Sequence, residues 1–303
     1  MFKKLARTVF YGNFFYGCCT VALAIEASMQ QNLPLNSIYF YILLYCTTVL
    51  FYTYAYIQEN TSPYINNRKQ WYSSNKKFIQ LSIILIFLTA AATGFYLFIH
   101  YFSELHKVSL LQLLPFAVTS VIAAAYYGIS FGGKLKINTR KTGWFKPFAI
   151  GLVWASVVTY LPVLWYQVER SEHYVFSLVN LWLVIKNFMF ISVLAILFDI
   201  KDYAADHNRK LKTFVVRVGL RKTIFVIIIP LTILGFLSLV AYATFQNFPV
   251  SRIIINSIPF LLLIIVAWSM QRRKPIIYYL AVIDGLMLVK ALCGITAAII
   301  LKQ

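Results

Sequence analysis

Nine long apolar runs constrain this chain more than any other feature. They cover roughly residues 9–29, 37–57, 78–101, 108–131, 146–167, 175–198, 223–246, 251–270 and 276–301. A bilayer core of about 30 Å needs about 20 mainly apolar residues per helix. Each run meets that length. The runs are too long for strands, and no ten-residue alternation suggests an outer-membrane barrel. The expectation is nine transmembrane helices in one bundle over 1–303. Pro115, Pro162, Pro230 and Pro259 fall within the runs. Membrane helices tolerate proline where neighbours satisfy the freed carbonyl.

Orientation follows from the cations. Lys3, Lys4 and Arg7 precede the first run. Arg68, Lys69, Lys76 and Lys77 follow the second, and Lys134, Lys136, Arg140 and Lys141 follow the fourth. Lys201, Arg209, Lys210, Lys212, Arg217, Arg221 and Lys222 follow the sixth, and Arg272, Arg273 and Lys274 follow the eighth. The connections between these hold no more than one cation each. Cytoplasmic loops carry the excess of Lys and Arg. The N-terminus is therefore expected in the cytoplasm. The long loops at about 58–77, 132–145 and 199–222 are expected there too. Inserting or deleting one helix would scramble the alternation.

Composition agrees. Hydrophobic residues make up 60% of the 303 and charged residues only 12%. A soluble domain carries about 25% charged residues to cover its surface. The net charge of +19 does not point to nucleic acid, because the cations lie in short loops rather than on a folded polar face. Cys18, Cys19, Cys46 and Cys293 sit within apolar runs at no metal-ligand spacing. They read as small buried hydrophobes. The start of the chain also has a feature of a cleavable signal peptide: cations, then an apolar stretch ending in Ala22-Leu23-Ala24. Gly12, Asn13 and Gly17 interrupt that stretch and weigh against cleavage.

Acidic residues are scarce, and their placement is the main chemical signal. Of the 9 Asp and Glu, three fall at Asp199, Asp202 and Asp206. This i, i+3, i+7 spacing puts them within about 60° of one another on an ideal helix. Clustered carboxylates repel, so such a stripe needs a cation. Mg²⁺ takes hard oxygen ligands and keeps room for substrate phosphates. Arg209, Lys210 and Lys212 follow and suit phosphate oxygens. An ordinary charged helix end, with Asp202 or Asp206 paired to a cation three or four residues on, is the plainer alternative.

The stretch Asp199-Ile-Lys-Asp202-x-x-x-Asp206, with Thr213 and Val215-Val-Arg-Val-Gly219 beyond it, resembles the second aspartate-rich motif of the UbiA superfamily of intramembrane prenyltransferases. The stretch Lys146-Pro-Phe-Ala-Ile-Gly-Leu-Val-Trp154, running on to Leu161-Pro162, resembles the fifth helix of divergent bacterial members. The resemblance implies a nine-helix bundle in a bacterial cell membrane. It implies Mg²⁺ on Asp199, Asp202 and Asp206, with Asp199 and Asp202 catalytic. It implies diphosphate contacts from Arg209, Lys210, Arg68 and Lys134. The implied reaction moves a polyprenyl group from its diphosphate to a lipophilic acceptor, aromatic or quinone-precursor. Metals and cations neutralise the leaving group, and aromatic faces stabilise the allylic cation.

The chain also departs from that pattern. The family's first motif, N-D-x-x-D, belongs at the end of the second helix. Here the sequence reads Phe51-Tyr-Thr-Tyr-Ala-Tyr-Ile-Gln-Glu-Asn-Thr61, with Glu59 its only acid. His207 and Lys210 replace the arginine and glycine common in the second motif. Two readings follow. A single Mg²⁺ sits on the three aspartates while Arg68, Lys69, Lys134 or Lys136 supply the missing charge. Or the chain keeps the fold, has lost catalysis, and binds a prenyl lipid or a membrane partner.

Four ionisable residues lie within the runs: Glu26, Lys186, Asp284 and Lys290. Such residues face a bundle interior or a cavity. Lys186 and Asp284 lie deepest, and an ion pair between them is the structural expectation.

Overall fold

The computed structural model describes residues 2–59, 67–126, 130–131, 135–136, 143–172, 176–208, 213–245 and 247–299. Among these the chain is helical apart from a two-residue antiparallel ladder, Ser130–Phe131 with Leu135–Lys136. Among the described residues each of the nine apolar runs contains helix. Seven helices are long and apolar enough to cross a membrane: Ile38–Ile57, Lys76–His100, Lys146–Arg170, Leu178–Asp202, Leu220–Phe245, Val250–Ser269 and Ile276–Ile299. The first run is instead two helices, Lys4–Tyr11 and Phe14–Gln30, bent by 64°. The fourth gives the shorter apolar helix Leu110–Ala125.

The outer surface confirms the environment. Leu81, Ile84, Leu85, Phe87, Leu88 and Phe95 along one helix are all exposed. Contiguous apolar surface of that extent does not stay in water. The protein is a multi-pass membrane protein.

The bend in the first run has a local cause. Asn13 is left-handed at φ 66°, a conformation Asn tolerates through its short polar side chain. A Cβ at Gly12 would lie 2.6 Å from the Thr8 carbonyl oxygen, so only glycine fits there. The Asn13 side chain then holds the bend in place. It donates to Thr53 Oγ1 at 3.1 Å and Tyr72 OH at 3.3 Å, and accepts from Arg68 Nη2 at 2.6 Å. Leu23 and Ala24 are fully buried. The segment bearing the cleavage-like sequence is thus part of the core.

Small residues let the helices approach. Gly151 faces Ser192, Gly17 faces the Tyr45 ring, and Gly294 faces Glu26. Close packing through small residues drives association where lipid removes the hydrophobic incentive. Two of the three π-helical segments precede prolines: Ser156–Tyr160 before Pro162, and Thr223–Ile228 before Pro230. Proline has no N–H and its ring clashes with the carbonyl four residues back. Those carbonyls, of Val158 and Val226, lie inside the widened turns. The third, Tyr279–Ile283, ends at Asp284, whose N–H donates to the Tyr279 carbonyl at 3.1 Å.

Some expectations change. The 58–77 loop is partly helical, with Asn67–Ser74 forming its own helix. The aspartate stretch is not one continuous helix. The α-helix ends at Asp199, a 3₁₀ turn covers Ile200–Asp202, and a short helix covers Tyr203–Asn208. A 3₁₀ turn stacks residues three apart, yet the Asp202 side chain is exposed where that of Asp199 is buried. Of the cysteines, Cys19 and Cys46 are buried, but Cys18 is exposed and Cys293 half-buried.

Candidate functional site

A cavity of about 720 Å³ lies among the helices. One wall comes from the 146–170 helix, where Lys146, Ile150, Val153, Val157, Leu161 and Trp165 line it at helical spacing. At 1.5 Å per residue this wall extends about 28 Å, close to the thickness of a bilayer core. The facing wall is the helix Ile38–Glu59, from Phe40 at the Trp165 end to Tyr56 at the other. Between the ends the lining is mostly aliphatic and aromatic. Tyr16 stacks on Tyr52 with ring centroids 4.3 Å apart, and Trp154 Nε1 donates to Tyr52 OH at 2.6 Å.

The polar groups gather at one end. Lys146 Nζ donates to Asp199 Oδ1 at 2.6 Å. The other carboxylate oxygen of Asp199, Oδ2, is buried with no hydrogen-bond partner among the described residues. A buried acceptor left unsatisfied costs about 1–3 kcal/mol, more when charged. Arg68 is buried, its guanidinium 4.1 Å from the Tyr56 ring centroid. It donates to the Tyr11 carbonyl at 3.0 and 3.3 Å and to Asn13. No carboxylate pairs with it among the described residues. Asp284 completes this end, its Oδ2 accepting from Tyr16 OH at 2.6 Å.

The sequence-predicted residues therefore scatter. Asp199 and Arg68 line the cavity. The Asp202 side chain is 51% exposed and lies 3.4 Å from Lys201 Nζ, against 6% exposed for Asp199. Asp206 is half-buried. Its carboxyl is raised by burial first, then by the charges of Asp202 and Asp199. The three carboxylates feel one another but do not converge. Among the described residues no three His, Cys, Asp or Glu side chains form a cluster able to hold a metal. The orphaned Asp199 oxygen fits one ligand bond to a cation, not a ready three-carboxylate site. Lys134, Arg209 and Lys210 lie outside the described residues. From the second helix, the described side chains that reach this end of the cavity are Tyr52, Ala55 and Tyr56. No acid among them replaces the missing first motif.

Two features escaped the sequence reading. Nothing in the sequence assigned Lys146 a role beyond opening the stretch Lys146–Trp154, yet it is the direct partner of Asp199. The ion pair expected between Lys186 and Asp284 does not form. Asp284 takes Tyr16 OH instead, while Lys186 donates to Gln30 Oε1 at 2.9 Å. The buried ion pair is Lys290 with Glu26, at 2.6 Å. Sequence depth placed these residues correctly in the membrane but could not tell which helices adjoin.

Comparison of the chain with protein-family models, with curated proteins and with solved structures finds no match.

Proposed function

We propose that this chain binds a polyprenyl diphosphate in the cavity and moves its prenyl group to a lipophilic acceptor, aromatic or quinone-precursor. The observation that carries the reading is the amphipathic cavity itself: a bilayer-deep apolar and aromatic channel whose one polar end bears Lys146, Arg68 and Asp199. Ligand sites of this kind fix orientation with a few polar groups in an apolar pocket. The diphosphate lies at Lys146 and Arg68, and the tail lies along the channel. In transfer the allylic C–O bond breaks, and its electron pair leaves with the diphosphate. A bond forms from the acceptor to the allylic carbon, and the acceptor loses a proton. Cations aimed at the leaving oxygens lower that barrier. The faces of Tyr16 and Tyr52 are suited to the developing allylic cation.

Mg²⁺ enters the proposal only as an ion carried in by the diphosphate; Asp199, Asp202 and Asp206 stay its proposed ligands on the resemblance alone, since the three carboxylates do not converge. Arg209, Lys210 and Lys134 stay proposed diphosphate contacts on the resemblance alone. The resemblance also supports nine crossings, counting the bent first pair and the 110–125 helix. From the loop cations we infer a cytoplasmic N-terminus, with the polar end of the cavity on that side; the bacterial cell membrane rests on the resemblance.

A second reading has its own observation. Tyr52 and Tyr56 stand where the resemblance implies metal-binding acids, which favours a member that binds a prenyl lipid without turnover. One experiment addresses both readings. Binding of farnesyl diphosphate to the purified protein is measured with and without Mg²⁺, beside Asp199→Ala and Lys146→Met. Tight binding lost in both variants supports the diphosphate site. Release of diphosphate on adding a phenolic acceptor then separates transfer from binding alone. Absence of binding by folded protein sinks both.

A further inference from the structure

We propose that the Phe2–Tyr11 helix lies in the plane of the membrane surface and binds anionic phospholipid headgroups through Lys4 and Arg7. The helix has 10 residues. Its Lys4–Tyr11 part is bent by 64° from Phe14–Gln30. Phe14–Gln30 alone rises about 26 Å, most of the bilayer core. That span needs no length from the helix before it, and the bend turns the first helix toward the membrane plane. Its two faces differ in kind. At about 100° per residue, Lys4, Arg7 and Thr8 share one side, and Leu5, Ala6, Val9 and Phe10 share the other. An amphipathic helix with cations on its polar face settles at the boundary between headgroups and acyl chains.

The bundle covers only part of this helix. Tyr11 is buried, its ring edge-on to Trp71 at 5.9 Å and its carbonyl accepting from Arg68. Phe10 meets Phe15 with ring centroids 4.8 Å apart. The C-terminal end is thus anchored. Leu5, toward the other end, is 61% exposed. A free helix this short is marginal in water, so its uncovered turns need a surface to lie on. Charge says which surface. Lys4 and Arg7 are exposed, and no carboxylate pairs with them among the described residues. The sequence holds no acid before Glu26. A second copy docked face to face would oppose these cations with its own. An anionic leaflet brings the complementary charge.

The test is amide hydrogen exchange of the full chain in bilayer nanodiscs that hold one copy each. One set is phosphatidylcholine alone, and the other carries about 30% phosphatidylglycerol. Exchange over residues 4–9 is read against Phe14–Gln30 in the same sample, so a smaller folded fraction does not imitate the effect. Residues 4–9 are expected to exchange about tenfold more slowly in the anionic bilayer, since each cation near such a surface contributes about fivefold. High salt should remove most of that gain. Lys4→Gln with Arg7→Gln, both at exposed positions, should abolish it. Leu5→Gln should speed exchange in both lipids, because the apolar face then holds the interface less well. Equal exchange of residues 4–9 in the two bilayers would overturn the proposal. So would a lipid difference that survives in the double variant. Protection that arises only in liposomes crowded with protein, whatever their charge, would assign the face to a second copy of the chain and overturn it too.

Discussion

Two groups of buried charge sit in the bundle, and they are built to opposite ends. In one, Glu26 accepts from Lys290 at 2.6 Å through Oε2 and from Gln30 at 2.6 Å through Oε1, and Gln30 in turn accepts from Lys186. Every carboxylate oxygen there is used, and Gly294 presses against the Glu26 side chain. In the other, Lys146 pairs with one oxygen of Asp199 while the second oxygen is left without a partner at the cavity wall. The first group ties three helices together and has no room for a visitor. The second borders a cavity and keeps an unmet bond.

The largest test of this contrast is Glu26→Ala. It leaves Lys290 buried without its partner, and breaking a buried pair costs about 3–5 kcal/mol. The unfolding midpoint in detergent should fall sharply. Joint replacement Glu26→Gln with Lys290→Met should recover most of the loss, because both charges then leave together. A single variant as stable as the wild type would end the structural reading of that pair.

Lys146→Met makes the complementary change at the other group. The expected loss is in ligand binding: a charged hydrogen bond contributes about 1.5–3 kcal/mol, so farnesyl diphosphate should bind about 10- to 150-fold more weakly. Glu26→Gln with Lys290→Met should leave that affinity alone. If both changes weakened binding equally, the two groups would not be separate in role.

Packing gives a third comparison. A Cβ at Gly294 would lie 2.5 Å from Glu26 Cγ. Gly294→Ala should therefore destabilise by about 1–3 kcal/mol, as overpacking does. Ala123→Leu adds more atoms but adds them into the cavity. Its midpoint should stay within about 0.5 kcal/mol of wild type. Equal losses would show that the cavity wall is as tightly packed as the core.

The smallest effect concerns pH. The native Asp206 carboxyl is raised by burial first and then by Asp202 and Asp199. The folded state thus holds this proton more firmly than the unfolded chain. Its contribution to stability is greatest below the ordinary carboxylate range and is lost as pH rises through the raised native value. Without Mg²⁺, Asp206→Asn should flatten that decline in the unfolding midpoint. An identical pH profile for wild type and variant would remove Asp206 from the coupled group.

Much of the bundle was legible. Apolar length located the seven helices long enough to cross a membrane, because a lipid-facing helix must be apolar nearly all round; the first run is a bent pair and the fourth is shorter. Gly12 and Asn13 already marked an interruption, and the chain bends there. The site was less legible. Asp199 and Arg68 were named and do line the cavity. Asp202 was expected beside Asp199, but its side chain is half-exposed next to Lys201, beyond the helix that ends at Asp199. Burial depends on neighbours from other helices, which spacing along one helix does not contain.

What the sequence determined by itself is which segments leave water, since twenty apolar residues in a row have one favourable solvent. It also determined that the deepest ionisable residues, Lys186 and Asp284, must turn away from lipid. What only the tertiary structure decided is who meets whom. Glu26 found Lys290, Asp284 found Tyr16, and Asp199 found Lys146. Each of these contacts joins residues far apart in the chain. Helical periodicity fixes the face a side chain takes on its own helix, but pairing depends on how whole helices are arranged around one another.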